Sequence, residues 1–256
     1  MNPFRPLKRF FLTTGELALF AIQAGRESFH RPLEFGETLN QLYEIGWRSL
    51  PLLTVAGFAI GTVLALQTRS SMQSFGAEAL IPEAVSFGLF RDVGPLVTGL
   101  LVSGRVGAVI GAELAEMRVT SQIDALECLA VDSLKYLAVT RIIACVIALP
   151  ILTNLLNFSG LAGGMTAEFL TSHMSAQLYL NDAFRMMSWS DYIPPTVKTL
   201  AFGFLIGTVS TFLGYTASKG AAGVGRASTL SVVTSSLLVI LSDVILVKLI
   251  LFWFPG

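Results

Sequence analysis

The sequence predicts an all-α integral membrane protein with about five transmembrane helices. Hydrophobic residues make up 53% and charged residues 13% of its 256 positions, whereas soluble globular domains carry about 25% charged residues. Five nearly uncharged runs have the length of about 20 residues that crosses a hydrocarbon core as a helix. The runs are continuously apolar, while strands of a membrane barrel alternate, so helices are expected. The runs are 49–68, 93–112, 142–167, 199–218 and 227–254.

The first 46 residues are predicted to lie in the membrane interface, and residues 47–256 to form the transmembrane domain. A cleaved signal peptide is disfavoured because Gly15 and Glu16 interrupt the early apolar stretch. Pro32 is expected to end the first helix. A second amphipathic piece, Phe35 to Trp47, then leads into the first run. An apolar face typical of an interfacial helix is formed by Leu7, Phe10, Phe11, Ala18, Ala21, Ile22 and Phe29.

The basic residues predict that the N-terminus is cytoplasmic and the C-terminus lies on the far side. Loops on the cytoplasmic side of a membrane protein carry an excess of lysine and arginine. With five spans, twelve basic residues fall on one side and three on the other, while Lys198 and Lys248 fall within the spans. The cytoplasmic side holds Arg5, Lys8, Arg9, Arg26, Arg31, Arg48, Arg105, Arg118, Lys135, Arg141, Lys219 and Arg226, and the far side holds Arg69, Arg91 and Arg185.

Four pairs of glycines stand four residues apart inside the predicted spans. Small residues at this spacing allow membrane helices to approach closely. The pattern fits tight packing inside one helical bundle, or an interface between two subunits. The pairs are Gly57/Gly61, Gly107/Gly111, Gly160/Gly164 and Gly203/Gly207.

The segment from Glu113 to Asp132, between the second and third spans, is rich in charge. Ser121 and Asp124 have the spacing of a capping box, which predicts a short helix starting at Gln122. Such a helix could be a solvated loop element, could lie on the bilayer, or could dock into a groove on a partner. The acidic excess of the segment disfavours anionic lipid, so a protein is the better alternative to a plain loop helix.

Five polar residues within or at the ends of the spans fall at the level of the outer leaflet. Intramembrane ionisable groups are costly and usually functional. They could pair with one another and hold the bundle together, or form a collar around a cavity that receives an amphiphile's headgroup. A proton relay is a third alternative. The five residues, called here the polar collar, are Gln67, Arg91, Asp92, Lys198 and Asp243.

Other common sites are not expected on this chain. A nucleotide-binding G-x-x-x-x-G-K-[ST] motif is absent from the sequence, so any ATP would be used by a separate subunit. Cys128 and Cys145 suggest no disulfide framework. His30 and His173 stand apart from other ligands, so no metal site is expected. The sequence shows no catalytic grouping, and equal totals of 17 acidic and 17 basic residues disfavour a nucleic-acid partner.

The longest run of recognisable motifs lies between Ser103 and Arg141. It contains G-R-x-G-A, A-E-x-x-x-M and T-x-Q-x-D-A-L, and it resembles the MlaE/YrbE family of ABC-transporter permeases, which serve MCE-type lipid transport systems. Thr140 and Ser121 depart from the family's usual Pro and Glu. The resemblance extends over about residues 35–256. Matching positions are Gly104, Arg105, Gly107, Ala108, Ala112, Glu113, Met117, Thr120, Gln122, Asp124, Ala125, Leu126 and Arg141, with further similarity at 57–67, 89–95, 198–203, 214–215, 223–229 and Asp243.

The resemblance implies a homodimeric permease in the bacterial inner membrane, with ATP and Mg²⁺ on a cytoplasmic ATPase. A periplasmic MCE-domain protein would receive phospholipid, a function linked to outer-membrane lipid asymmetry, and a small regulatory subunit could bind the ATPase. The collar would meet the lipid, and residues 1–46 would include the family's interfacial elbow. The ATPase-coupling residues would be Glu113, Glu116, Met117, Arg118, Gln122, Asp124, Leu126 and Glu127.

Two other classes remain open at this point. An ion-coupled secondary transporter or channel would work without an ATPase, although such proteins often carry inverted repeats, and the two halves of this sequence show none. A structural anchor for a membrane complex is the other alternative. A preparation that holds lipid without stimulating any ATPase would favour the anchor.

Overall fold

The computed structural model describes residues 5–28 and 34–253, with side chains from Leu12 onward, and every regular element in these residues is a helix. Five stretches are long and apolar enough to cross a membrane, which confirms the predicted class. The Pro32 break, His30, and the side chains of Leu7, Phe10, Phe11 and Phe29 lie outside the described part. The five spans are Phe35–Gln73, Glu78–Val119, Leu134–Ser172, Trp189–Tyr215 and Ala221–Trp253.

Ten α-helices make up most of the described chain. Several are separated only by short segments of wider, π-helical winding, described below. In chain order the α-helices are α1 (Arg5–Glu27), α2 (Phe35–Gln73), α3 (Ile81–Gly88), α4 (Gly94–Val102), α5 (Ala108–Val119), α6 (Gln122–Cys128), α7 (Thr140–Ser172), α8 (Ala176–Arg185), α9 (Trp189–Tyr215) and α10 (Ala221–Trp253).

Helix α2 joins the predicted amphipathic piece and the first span in one element. Its 39 residues would extend about 58 Å at 1.5 Å per residue, well beyond a hydrocarbon core of about 30 Å. The amphipathic piece therefore continues directly into the apolar run, and Pro51 lies inside the helix without ending it.

Two π-helical segments interrupt the second span, and a third precedes α7. They are Leu89–Val93, Ser103–Gly107 and Leu134–Val139. An extra residue in one turn rotates everything that follows by about 100°, because an α-helix has 3.6 residues per turn. The face that each later side chain presents therefore cannot be read from an uninterrupted helical wheel.

The residues group into two compact units, to which most of the spans contribute separate parts. The first unit comprises Met1–Ile45, Ser103–Val146 and Gly203–Leu238. Its core includes Ala24, Val139 and Ile142. A Cβ on Gly203 would lie 2.6 Å from the Cys145 carbonyl oxygen, so this glycine permits close backbone approach.

The second unit comprises Gly46–Val102, Ile147–Phe202 and Val239–Gly256. A Cβ on Gly57 would lie 2.5 Å from the Leu156 carbonyl oxygen, and one on Gly61 would collide with the Gly160 backbone. The glycines of α2 and α7 therefore pack against each other's helix. For these pairs the structure confirms the interpretation of tight packing inside the bundle.

Candidate functional site

Lys198 is the centre of the polar collar. Helix α9 begins at Trp189, so Lys198 lies well inside the helix, whereas the apolar run placed it near the outer start of the fourth span. The residue is only 4% exposed. Its Nζ lies 3.0 Å from Asp243 Oδ1 and 4.0 Å from Asp92 Oδ1. Lys198 therefore pairs with Asp243, in keeping with the alternative that the polar residues pair with one another.

A backbone carbonyl completes the surroundings of the ammonium group. Lys198 Nζ donates a hydrogen bond of 3.1 Å to the Arg91 carbonyl oxygen. In an α-helix that oxygen would accept from the residue four positions later, which here is Pro95, and proline has no N–H. Pro95 therefore cannot supply this carbonyl with a hydrogen bond, and Lys198 donates to it from another span.

The geometry of the collar distinguishes its two carboxylates. The Asp243 side chain is 14% exposed, and its Oδ1, although close to Lys198 Nζ, accepts no hydrogen bond from the described residues. The Asp92 side chain is 57% exposed and sits at the long 4.0 Å distance. The contact with Asp243 is therefore the buried one, and the contact with Asp92 is loose and open.

The Arg91 side chain pairs with Asp191, which is not among the five residues of the collar predicted from the sequence. Its Nη1 lies 3.5 Å from Asp191 Oδ1, and its guanidinium lies 4.9 Å from the centre of the Phe87 ring. Asp191 lies before the fourth apolar run, and the early start of α9 at Trp189 brings it into the site.

Gln67 does not join the collar. It is exposed on α2, and among the described residues the structure gives its side chain no hydrogen bond to the other four positions. The depth of a residue along a span does not fix the face of the helix that it occupies, so depth alone could not place Gln67 beside the others. The collar that the structure assembles is Arg91, Asp92, Asp191, Lys198 and Asp243.

An aromatic cavity borders these charges. It has a volume of about 290 Å³. Phe90 packs in edge-to-face or tilted geometry against Phe158, Phe184 and Tyr192, and Trp189 also lines the space. Phe90 and Tyr192 immediately adjoin Arg91 and Asp191 in sequence. A hydrocarbon surface and a charged collar therefore lie side by side in the second unit.

A second buried ion pair lies where the first and third spans approach α8. Two of the guanidinium nitrogens of Arg69, Nε and Nη2, donate to the two carboxylate oxygens of Glu168 at 3.2 and 2.6 Å. This forked geometry is typical of strong ion pairs. Burial, with a smaller contribution from the Glu168 charge, raises the pKa of the Tyr179 hydroxyl. That hydroxyl is buried and finds no hydrogen-bond partner among the described residues.

The predicted coupling segment forms a compact helical turn in the first unit. Helix α5 ends at Val119 and α6 begins at Gln122, as predicted. Arg118 Nη1 and Asp124 Oδ1 are 2.6 Å apart, while Glu113 pairs with Arg141 at 3.4 Å. Ile123 is 1% exposed. The turn is therefore held in place by the buried Ile123 side chain and by these two ion pairs.

The proposed capping box was wrong. Ser121 has φ 58° and ψ 23° and its side chain makes no capping hydrogen bond. Its left-handed backbone reverses the chain after Thr120, which takes its hydroxyl away from the N–H groups that an extended N-cap would reach. Asp124 instead pairs with Arg118.

The residues predicted to couple differ in how they are displayed. Glu116 and Gln122 are exposed, while Met117 and Leu126 are partly buried. Glu127 accepts a hydrogen bond of 2.7 Å from Ser133 Oγ, so it holds the turn against the chain that follows. The surface open to another molecule is therefore centred on Glu116, Gln122 and the exposed Arg118–Asp124 pair.

These observations define a polytopic helical membrane protein with a buried charged site and an exposed turn held by ion pairs. The family model described as "Permease MlaE" matches residues 38–249. The chain therefore belongs to the MlaE permease family, and it is an ABC transporter permease.

Relatives agree with this assignment across nearly the whole chain. A probable ABC transporter permease protein from Rickettsia felis is 39% identical over 241 residues, covering 94% of this chain and 93% of the relative. A similarly named protein from Synechocystis is 34% identical, covering 94% and 89%. The intermembrane phospholipid transport system permease protein MlaE of Haemophilus influenzae is 31% identical over 240 residues, covering 93% and 91%.

Proposed function

We propose that this permease moves glycerophospholipid between the bacterial inner membrane and a periplasmic MCE-domain protein, and so maintains the lipid asymmetry of the outer membrane. It would act as a homodimer with a cytoplasmic ATPase that holds ATP and Mg²⁺, and a small regulatory subunit could bind that ATPase. The Haemophilus influenzae relative is named as a permease of an intermembrane phospholipid transport system, which supports the substrate class.

The observation that carries the proposal is the open side of the collar. Lys198 is buried against Asp243 at 3.0 Å but holds the exposed Asp92 only at 4.0 Å. A phosphate oxygen could take the position of the Asp92 carboxylate without disturbing the buried pair. The ammonium group would then meet the headgroup by a charge-assisted hydrogen bond.

The aromatic cavity supports a lipid rather than a small ion as substrate. Phe90, Trp189 and Tyr192 line about 290 Å³ of space directly beside Arg91 and Asp191 in sequence. An amphiphile needs a polar contact and an apolar one at adjacent positions, and an ion pathway needs no such wall. Lipid tails would lie against this wall and against the spans.

Energy input would reach the permease through the turn at Glu113 to Glu127. Exposed Glu116 and Gln122 would contact the ATPase, and the Arg118–Asp124 and Glu113–Arg141 pairs would transmit its movement because they tie the turn to α5 and α7. The basic residues counted above support a cytoplasmic position for this turn and for the N-terminus, with residues 1–46 as interfacial elbow helices and the C-terminus in the periplasm.

The first test is a tagged pull-down of the full chain from native membranes in mild detergent, with mass spectrometry of the bound proteins. The proposal expects an ABC ATPase and an MCE-domain protein. A chain that is recovered stable and free of both would refute it, and would favour ion-coupled transport through Lys198 and Asp243.

The second test addresses the collar. The variants Lys198→Ala and Arg91→Ala are expected to insert at normal levels yet transfer phospholipid poorly between proteoliposomes and the MCE-domain partner. Gln67→Ala, at the same predicted depth but outside the assembled collar, is the matched control and should transfer lipid normally. Normal transfer by both collar variants would contradict a headgroup-binding collar.

A further inference from the structure

The first unit contains a cavity that the collar and the coupling turn do not use. Its volume is about 410 Å³, within the usual range of small-molecule sites. It lies among α1, the end of α9 and the beginning of α10. The connection between α9 and α10 is short, running from Thr216 to Gly220, so the cavity lies at the membrane-surface end of the fourth and fifth spans.

The cavity has a fixed wall at this connection. Gly220 has φ +93°, and a Cβ on Gly223 would collide with the Ser218 carbonyl oxygen. The first turn of α10 therefore packs directly on the loop before it. A loop held in this way presents the Thr216 and Ser218 side chains, both lining the cavity, in a defined position.

Two opposite charges line the cavity without meeting. Glu16 of α1 and Arg226 of α10 are both among its lining residues, and both are exposed. The structure gives neither side chain an ion pair within the described residues. A cavity bounded by an open carboxylate and an open guanidinium is complementary to a ligand that carries both charges.

Apolar side chains form the rest of the wall. Phe212, Leu213 and Leu230 contribute to the lining. On the neighbouring surface of α1, Leu12 is 57%, Leu19 69% and Ile22 55% exposed. A helix that shows such residues outward is typical of the membrane interface, which is the level at which lipid headgroups meet their acyl chains.

We propose that this cavity binds a zwitterionic glycerophospholipid of the phosphatidylethanolamine class from the leaflet that the connection between α9 and α10 faces. Arg226 contacts the phosphate, Glu16 contacts the ammonium group, and Phe212, Leu213 and Leu230 contact the glycerol end of the acyl chains. With the orientation given above, this leaflet is the cytoplasmic one, so the site is a second lipid site for the same proposed transport function.

The pair of charges selects the headgroup. Arg226 alone would accept any phospholipid phosphate, since guanidinium binds phosphate well in general. Glu16 repels a lipid with net negative charge and attracts one with a terminal ammonium group. A phosphatidylglycerol headgroup has hydroxyls instead of the ammonium group and gains nothing from the carboxylate.

The test uses the purified full chain in mild detergent and a phosphatidylethanolamine that carries a photoactivatable diazirine near the glycerol. After illumination, mass spectrometry maps the labelled peptides. The probe is compared with the same reagent built on phosphatidylglycerol. The variants are Arg226→Gln and Glu16→Gln, which retain side-chain size, and Lys219→Gln, an exposed neighbour that does not line the cavity, is the control.

Labelling of peptides that contain Leu213 or Leu230 is expected, with phosphatidylethanolamine favoured over phosphatidylglycerol. Arg226→Gln should reduce labelling by both probes about fivefold, a change of ~1 kcal/mol. Glu16→Gln should lower only the phosphatidylethanolamine signal and bring the two probes to similar levels. Lys219→Gln should match the natural chain.

Unchanged labelling in Arg226→Gln and Glu16→Gln would overturn the site, as would equal labelling of the natural chain by both probes. The proposed transport function has a separate readout, the lipid transfer of the natural chain. Transfer that persists while the labelling ignores both variants refutes only the site. Headgroup-dependent labelling without any transfer supports the site and refutes the function.

Discussion

Removing both members of the Lys198–Asp243 pair should damage stability less than the two single changes predict. Lys198→Met and Asp243→Leu replace buried charges with apolar side chains of similar size. Asp243→Leu strands an ammonium group that is 2% exposed, which costs about 2 kcal/mol, less than the roughly 3–5 kcal/mol of a fully broken buried pair, because Asp92 remains at 4.0 Å. Lys198→Met should cost about 3 kcal/mol, because it leaves Asp243 unpaired and also removes the donor to the Arg91 carbonyl.

The double variant restores neutrality but leaves the Arg91 carbonyl without the donor that Lys198 supplies. An unsatisfied buried acceptor costs about 1–3 kcal/mol, so we expect the double variant to lose about 2 kcal/mol. The coupling energy is then about 3 kcal/mol, typical of residues in direct contact. Equilibrium unfolding of the four proteins in mixed micelles, followed by tryptophan fluorescence, measures it.

The exposed Arg118–Asp124 pair provides the matched control. Its side chains are 44% and 56% exposed although the atoms are 2.6 Å apart, and a surface pair contributes about 0–1 kcal/mol. A coupling energy below about 0.5 kcal/mol for Lys198 and Asp243 would refute the buried pair. Lipid transfer gives an independent result: a stable double variant that transfers lipid normally would show that the collar charges only hold the bundle together.

Three further predictions concern other parts of the molecule. Gly61→Ala should destabilise the protein by about 1–3 kcal/mol through overpacking, because its Cβ meets the facing glycine's backbone, whereas Gly88→Ala, with open space around it, should not; equal unfolding midpoints would contradict this. Tyr179→Phe removes a buried hydroxyl that has no hydrogen-bond partner among the described residues and should stabilise the protein by about 1 kcal/mol. Because the pKa of Tyr179 is raised in the folded protein, the natural chain should lose stability as pH rises above about 10. The variant should lose less, and unfolding measured as a function of pH would test both expectations. Gln122→Arg should change stability by less than about 0.5 kcal/mol yet reduce ATPase recovery in the pull-down, while Lys219→Glu should not, and unchanged recovery would place the ATPase elsewhere.

Sequence reasoning predicted what depends on length, composition and order along the chain. The five spans follow from apolar runs that only a helix can carry through a bilayer. The start of α6 at Gln122 was predicted correctly, although the capping box that was the reason for it is absent, because Ser121 adopts φ 58° and makes no capping hydrogen bond. A left-handed serine has no signature in a single sequence, so the capping geometry was beyond reach.

The residues of the collar show what depth along the sequence cannot predict. Depth along each span correctly brought Arg91, Asp92, Lys198 and Asp243 to one level, because each residue adds a fixed rise. The same reasoning included Gln67, which points elsewhere, and omitted Asp191, which lay before the apparent span. Rise is encoded residue by residue, but the angular position depends on where a helix starts and on every irregular turn within it.

The irregular turns themselves have a common consequence for function. Where a helix is wound loosely or interrupted by proline, backbone carbonyls lose their regular donors and must find others. Lys198 serves the Arg91 carbonyl beside Pro95. In the π-helical segment before α7, Thr140 Oγ1 donates to the Tyr136 carbonyl at 2.7 Å, a hydrogen bond that the proline expected from the resemblance at position 140 could not make.

The Thr140 hydroxyl thus supplies a donor to a backbone carbonyl, whereas Pro95 removes a backbone donor. At position 95 the removal makes the Arg91 carbonyl a ligand for an ammonium group from another span. The buried charge at Lys198 is therefore held partly by backbone, which no rotation of a carboxylate can withdraw. Under the proposed function, a substrate phosphate would take the place of the Asp92 carboxylate beside Lys198 while the backbone contact keeps the ammonium group in position.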